Sequence, residues 1–250
     1  MKEFFNCAMN IGEQMLISGA EVHRAEESVK LMCKHFGAQR VDVFIITSSM
    51  VATIYTDKGE SFTETRRIGA INNDFEKLHR LNKLSRKICS EELTVDQIRT
   101  EFEKAISCKT YPFIVDCAFY SIIAAAFTLF FGGDFAQALI SFFIGATVRI
   151  GILFSEKTIG NNIFAKFFAM VIASTLSFTA LKIGLVSSVD KLIIGNIMTL
   201  IPGVGLTNAL RDLFAGDSIA GILRTISAVL TALAIAAGYF LVAVLGGFVL

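Results

Sequence analysis

The sequence predicts a polytopic α-helical membrane protein with an N-terminal cytoplasmic α/β domain. It predicts about five transmembrane helices, one of them broken at Pro202-Gly203. Charge is the first observation, because 32 of the 45 charged residues lie within residues 1–112. Hydropathy is the second, because residues 113–250 hold five long apolar segments joined by short connectors. The sequence therefore predicts two domains: a charged, soluble N-terminal domain over 1–112, called the front domain below, and an apolar membrane domain over 113–250.

The front domain shows two helical patterns, then strand patterns, then two more helical patterns. Apolar residues at helical spacing predict helices over 4–17, 20–36 and 74–89, and Thr94-x-x-Gln97 is a capping box that predicts a helix through about Ser107. Residues 41–47, 51–55 and 61–67 are rich in β-branched and aromatic side chains and read as paired strands. Such a unit of about 110 residues can bury its own core.

Five apolar segments follow Pro112, and each is close to the length that spans a bilayer. The expected spans are about 113–131, 135–154, 163–183, 192–210 and 219–248. Turns are expected at Gly132-Gly133-Asp134 and at Ser155-Glu156-Lys157. The alternative, that these are core helices of a large soluble protein, fits poorly with five such runs in succession.

Basic residues predict the orientation. With the front domain inside, the inner flanks carry Arg99, Lys104, Lys109, Arg149, Lys157, Lys166, Arg211 and Arg224, whereas the outer flanks carry Lys182 and Lys191. We therefore expect a cytoplasmic N-terminus and, after five crossings, an external C-terminus in the inner membrane. No apolar signal-peptide core follows Met1. The five cysteines lack paired spacing and are expected to be reduced thiols, as in a cytosolic domain.

The fourth segment has unusual chemistry for a membrane helix. Pro202 removes a backbone donor, and Gly203 and Gly205 loosen the chain beside it. Backbone without partners is costly in lipid, so such a break faces protein or a water-filled cavity. A half-helix that restarts beyond the break would direct its N–H groups at a carboxylate there, with Thr207 and Asn208 as further polar groups. The alternative is a simple proline kink with close helix packing.

Other charges in the apolar half extend this candidate substrate path. Arg211 and Asp212 lie at the expected cytoplasmic end of the fourth segment, where Arg211 could attract an anion; topology signal and capping are the alternative. Arg149 on the second segment either snorkels to the interface or pairs with Asp116, which lies at the same depth on the first. Asp217 is expected to cap the last helix.

The front domain has one dense polar cluster, formed by Glu21, His23, Arg24 and Glu26. Acid–base or metal chemistry is conceivable there, but a solvated or subunit-contacting face is the favoured interpretation. We expect no catalytic residues, no metal site and no cofactor, since His-Glu-x-x-His, phosphate-loop and Gly-x-Ser-x-Gly motifs are missing from the sequence. A formal net charge of +1 gives no case for nucleic acid as a partner.

Two motifs resemble those of the threonine/serine exporter family: Gly19-Ala-Glu-Val-His-Arg-Ala-Glu26 and Pro202-Gly-Val-Gly-Leu-Thr-Asn-Ala-Leu-Arg-Asp-Leu-Phe-Ala-Gly-Asp217. Within that family the chain looks like the stand-alone larger subunit of the two-component type. The resemblance implies a proton-coupled secondary transporter that exports a small amino acid or a small dicarboxylate such as succinate. It also implies a small membrane partner subunit that supplies the second half of the exporter.

Other functions stay open at this stage. One alternative is a membrane-anchored enzyme that uses Glu21, His23 and Glu26, and another is a scaffold subunit that does not itself transport. A five-helix unit is expected to need an oligomer or a partner to enclose a transport path.

Overall fold

A computed structural model describes residues 1–107 and 111–247 and forms two compact units. The first unit contains Met1–Lys109 together with Gly203–Ile226, and the second contains Thr110–Pro202 together with Ser227–Leu250. The predicted division into 1–112 and 113–250 stays a prediction. What the contacts add is that residues 203–226 pack with the front of the chain.

The first unit contains a three-stranded antiparallel sheet with helices packed on it. Its helices are α1 (Lys2–Ile17), α2 (Val22–His35), α3 (Phe75–Ser90), α4 (Val95–Ile106), α9 (Gly203–Ala215) and the start of α10 (Ser218–Leu245). Its strands are β1 (Arg40–Ile46), β2 (Ser49–Tyr55) and β3 (Ser61–Arg67), in the order β1-β2-β3. All three predicted strands and all four predicted helices of the front segment are present.

Alternation along the strands builds one buried face. Val41 pairs with Ile54 and Ile45 with Met50, and all four side chains are buried. They join Ile11, Met15 and other apolar residues of the helices in a single core. The predicted capping box of Thr94 and Gln97 is formed, and Gly37 follows the end of α2 with a left-handed φ of 90°.

The described residues of the second unit form helices joined by turns and contain no strand. It contains α5 (Phe113–Phe130), α6 (Phe135–Ile159), α7 (Asn162–Lys182), α8 (Asp190–Met198) and the remainder of α10. The turn predicted at Ser155-Glu156-Lys157 is wrong, because α6 continues through it. None of these three residues breaks a helix, and α6 ends instead at Gly160, whose φ of 67° is left-handed.

Among the described residues, four helices are long and apolar enough to cross a membrane: α5, α6, α7 and α10. The number rises to five if α8 and α9 together form one broken span. Large side chains remain exposed on these helices, among them Phe130, Phe135 and Phe154. Exposed apolar surface of this extent is what lipid contact requires, so the chain is a polytopic helical membrane protein.

The predicted break in the fourth segment is present. The segment expected over 192–210 consists of α8 and α9, separated by Thr199–Pro202. The last turn of α8 closes with short hydrogen bonds from Leu200 N and Ile201 N to the carbonyl of Ile197. Pro202 then has no N–H to continue the helix, and α9 starts at Gly203.

Candidate functional site

The first motif, Gly19–Glu26, forms the turn between α1 and α2. Helix α1 ends at Ile17, Gly19 turns the chain with a φ of 95°, and Glu21 stands at the N-cap of α2 without a side-chain capping bond. The first backbone N–H groups of any helix lack partners within the helix. In α2 the second motif supplies one, because Asp212 Oδ1 accepts a hydrogen bond from Val22 N at 3.0 Å.

Asp212 also forms a buried ion pair with Arg224 of α10. Its Oδ2 lies 3.0 Å from Arg224 Nη1, the Asp212 side chain is fully buried, and the Arg224 side chain is 10% exposed. The pair is close, yet its geometry is not that of a hydrogen bond, and Arg224 Nε has no hydrogen-bond partner among the described residues. Arg224 Nη2 donates instead to the carbonyl of Ala20 at 3.1 Å. The carboxylate and the guanidinium therefore both bind the α1–α2 turn.

Two further contacts of α9 lie beside the Asp212–Arg224 ion pair. Asn208 Nδ2 donates to the carbonyl of Gly19 at 3.0 Å, and Arg211 Nη1 donates to Glu21 Oε1 at 2.7 Å. The Arg211 side chain is 62% exposed, so this outer ion pair is screened by water and contributes little. We call Gly19–Val22 with Asn208, Arg211, Asp212 and Arg224 the α2-cap cluster. It joins the two motifs within the first unit.

The α9–α10 hairpin holds the acidic and basic residues of this cluster in register. Gly216 turns the chain with a φ of 96°, and a methyl group on Gly221 would lie 2.6 Å from Leu213 Cγ. The two helices thus touch through a position that only glycine fits. Asp217, predicted to cap α10, directly precedes it, and its Oδ2 is buried without a hydrogen-bond partner among the described residues.

Arg224 is the residue of this cluster whose role the sequence interpretation missed. The sequence places it only among the basic residues of the inner flanks. The available signal was its isolation, since it is the one charged residue in α10. A single charge in a long apolar helix indicates a buried partner.

The second unit pairs Asp116 with Arg149, one of the two arrangements that the sequence left open for this arginine. Arg149 Nε donates to Asp116 Oδ2 at 2.6 Å, and the guanidinium carbon lies 5.0 Å from the centre of the Tyr120 ring. The Asp116 side chain is 33% exposed and the Arg149 side chain is 19% exposed. The arginine is thus held by a carboxylate and an aromatic face, a stabilising arrangement for a charge on an apolar helix.

A buried chain of polar groups links α5, α6 and α8 in the second unit. Asn196 Nδ2 donates to Ser141 Oγ at 2.7 Å, and Ser141 Oγ lies 2.7 Å from Thr128 Oγ1. Asn196 Oδ1 is buried without a hydrogen-bond partner among the described residues. Beside it, a methyl group on Gly195 would lie 2.1 Å from Thr128 Oγ1, so α8 packs directly on α5. This cluster fixes the first half of the broken segment.

The structure separates the predicted path residues into three groups. Asn208, Arg211 and Asp212 contact the α1–α2 turn, whereas Asp116 and Arg149 contact each other in the second unit. A third group lies at or near the break, with Thr207 Oγ1 donating to the carbonyl of Gly203 at 3.0 Å. That group comprises Pro202, Gly203, Gly205 and Thr207.

The front polar cluster does not converge on one point. Glu21 pairs with Arg211, while Glu26 pairs with Lys30 at 3.2 Å and accepts a hydrogen bond from Ile45 N. His23 is exposed, and no hydrogen bond joins it to either carboxylate in the described part of the chain. Among the described residues no group of His, Cys, Asp and Glu could hold a metal ion.

Fold and site together define a polytopic helical membrane protein with an interrupted apolar segment that binds its own amino-terminal domain. The family model described as "Putative threonine/serine exporter" matches residues 6–246. The chain therefore belongs to the threonine/serine exporter family, a family of membrane transport proteins rather than of enzymes.

One curated relative is the threonine/serine exporter of Corynebacterium glutamicum. The two proteins are 24% identical over 242 residues, which cover 93% of this chain and 49% of the relative. The chain thus spans about half the length of the curated relative it matches. No solved structure matches the chain.

Proposed function

We propose that this chain is a subunit of a secondary transporter that exports a small amino acid, threonine or serine, or a small dicarboxylate across the inner membrane. Proton coupling is part of the proposal. The interrupted segment α8–α9 is the observation that carries it, since α9 begins at Gly203 directly after a proline in an otherwise apolar region. Such breaks occur in membrane proteins where backbone groups bind a substrate or line a cavity.

The two halves of the interrupted segment are fastened in different ways. Helix α8 packs through Gly195 and Asn196 on α5 and α6, and α9 is held through Asp212 by the α1–α2 turn. Each half is thereby positioned independently of the other. We infer that this arrangement keeps the break at Thr199–Pro202 open instead of letting the segment relax into one helix.

We assign two roles to the predicted path residues. Pro202, Gly203, Gly205 and Thr207 belong to the proposed substrate path, in which the first backbone N–H groups of α9 bind the substrate carboxylate. Arg149 and Asp116 are assigned to the same path as a separate pair within the second unit. Asn208, Arg211 and Asp212 position α9, because their side chains already bind the α1–α2 turn.

A small membrane partner and an oligomeric assembly complete the proposal. The match covers 49% of the curated relative, and the proposed partner corresponds to the part of that relative outside the matched region. We further propose a cytoplasmic N-terminus and an external C-terminus, which requires α8 and α9 to cross the membrane as one broken span. A reporter fused to the C-terminus and active only outside the cytoplasm supports this topology, and one active only inside contradicts it.

The proposed function is tested by efflux from cells. A strain that lacks the chain is loaded with threonine, serine or succinate, and the external concentration is followed with and without the wild-type gene. We expect the wild type to restore efflux of at least one of these substrates, and Pro202→Ala to restore less at equal membrane abundance. Equal efflux with and without the chain for all three would contradict the proposal.

The alternative of a membrane-anchored enzyme receives no support from the front cluster. A hydrolytic site needs its carboxylate and imidazole within hydrogen-bond reach of one another or of a shared water. Here Glu21 and Glu26 bind other elements, α9 and β1 respectively. His23→Ala is accordingly expected to leave efflux unchanged.

A further inference from the structure

A cavity of about 260 Å³ lies between α2 and α3 in the first unit. Its charged and polar lining includes Arg24, Glu27, Ser28, Asn82, Arg86 and Cys89. Drug-sized ligands occupy pockets of about 300–1,000 Å³, so this cavity matches a smaller metabolite. It takes no part in the α2-cap cluster described above.

The charges of this cavity are not used by the fold. In the described part of the chain, no ion pair or side-chain hydrogen bond engages the guanidinium of Arg24 or Arg86 or the carboxylate of Glu27. Arg24, Glu27 and Arg86 are exposed, whereas other charged residues of the same helices are paired, for example Glu26 with Lys30 and Arg80 with Glu76. Two guanidinium groups and one carboxylate therefore face a shared space.

The neutral groups of the cavity keep lone pairs that can accept hydrogen bonds, and Asn82 keeps one amide N–H. Ser28 Oγ donates its proton to the carbonyl of Arg24, and Asn82 Nδ2 donates to the carbonyl of Leu78. The oxygens of both side chains remain able to accept hydrogen bonds. The cavity thus offers cationic donors for a carboxylate, and a carboxylate with neutral acceptors for an ammonium group.

We propose that this cavity is a binding site for a small zwitterionic α-amino acid. Arg24 and Arg86 bind the ligand carboxylate, since a guanidinium presents a fork of donors that matches it. Glu27 and the oxygens of Ser28 and Asn82 bind the ligand ammonium group. A role in sensing cytosolic substrate rests on the proposed function, but the binding site itself does not.

Cys89 supplies a local measurement, because its partly exposed thiol lines the same cavity. Burial raises the pKa of this thiol, so alkylation of the purified full-length chain is followed at mildly alkaline pH. Peptide-resolved mass spectrometry reports Cys89 separately from the other cysteines. L-Threonine, L-serine, succinate and inorganic phosphate are titrated in turn.

We expect L-threonine or L-serine to slow Cys89 alkylation saturably, by about tenfold at ten times its Kd. Arg86→Ala is expected to abolish this protection. Lys83→Ala, a loss of one cation from the same helix outside this cavity, is the matched control and is expected to retain it. Glu27→Gln is expected to weaken protection by the amino acid but not any protection by succinate.

Several outcomes would overturn the proposal: no protection by either amino acid, protection that survives Arg86→Ala, or protection by phosphate or succinate alone. The efflux experiment is run on the same variants. Efflux that fails while Cys89 protection holds contradicts the transport proposal and leaves this site standing. Efflux that holds without protection contradicts this site alone.

Discussion

The Oδ1 atom of Asp212 accepts a hydrogen bond from the backbone N–H of Val22, 190 residues earlier in the chain. A carboxylate from α9 therefore caps the start of α2, where it meets both an unpaired N–H group and the positive end of the helix dipole. Because Asp212 also pairs with Arg224, one carboxylate joins α2, α9 and α10. Asp212 is thus the buried side chain that links α9 to the start of α2, beside the contacts of Asn208 and Arg211 with the same turn.

Replacing Asp212 by Ala is expected to destabilise the first unit strongly. It leaves the guanidinium of Arg224 buried without its carboxylate and the N–H of Val22 without its acceptor. Breaking a buried ion pair in this way costs about 3–5 kcal/mol. The expected result is a lower melting temperature of the purified full-length chain and faster proteolysis of residues 203–226.

Two further variants distinguish the cost of a buried unpaired charge from the cost of any substitution in the α2-cap cluster. Arg211→Ala removes an exposed partner and is expected to change stability by less than about 1 kcal/mol. The double variant Asp212→Leu with Arg224→Met leaves no buried charge and is expected to melt above Asp212→Leu alone. A double variant that melts lower than the single one would contradict this explanation.

For the Asp116–Arg149 pair of the second unit, removing one charge is likewise expected to cost more stability than removing both. Arg149→Ala leaves a carboxylate on α5 without its cation, and an unpaired charge in an apolar span costs up to about 3 kcal/mol. Asp116→Asn combined with Arg149→Gln removes both charges. We expect less folded protein in the membrane for the single variant than for the double, measured by size-exclusion chromatography of a fluorescent fusion. The reverse order would show that the pair does not stabilise the unit.

Glycine is expected to be required at position 195 but not at position 203. A methyl group at Gly195 would approach Thr128 Oγ1 to 2.1 Å and the Thr128 backbone N to 2.8 Å, whereas at Gly203 it meets no atom within 4 Å. Overpacking at such a contact costs about 1–3 kcal/mol. The melting temperature is therefore expected to fall in Gly195→Ala and to stay unchanged in Gly203→Ala. Equal effects of both would contradict the close packing of α8 on α5.

Cys33 is expected to resist alkylation in the folded protein. Burial, with a smaller contribution from Cys89, raises the pKa of its thiol to about 12. At pH 8 the thiolate, which is the reactive form, is then only about one part in ten thousand. Alkylation of Cys33 should lag far behind that of Cys89 in the native chain and match it after denaturation. Equal rates in the native chain would show that α2 does not bury this thiol.

Local patterns sufficed to predict most helices and strands. The capping box at Thr94 and Gln97 is encoded within a few residues, and it is formed. The break at Pro202 was predictable for the same reason, since proline lacks the donor that a helix needs. The segment Ser155–Lys157 shows the limit of this reasoning. Its polar residues predicted a turn, but polar residues are also compatible with a helix, and α6 continues through them.

The α2-cap cluster could not be predicted from local pattern. Each motif was recognisable by itself, yet nothing in their spacing says that Asp212 meets Val22 or that Arg224 binds the carbonyl of Ala20. Such contacts are set by how α9 and α10 pack on the front core, in which Ala220 takes part. The pairing of Asp116 with Arg149 could be considered from the sequence, because two opposite charges at the same depth on neighbouring membrane helices can reach each other.

In the proposed function, an interrupted segment positioned by Asp212 exports a small carboxylate-bearing metabolite. The most direct test is efflux of threonine, serine and succinate from loaded cells that lack the chain, complemented by the wild type, Asp212→Asn or Lys83→Ala at equal membrane abundance. We predict that the wild type and Lys83→Ala restore efflux of at least one substrate and that Asp212→Asn does not. Full efflux with Asp212→Asn, or none with the wild type for any of the three substrates, would contradict the claim.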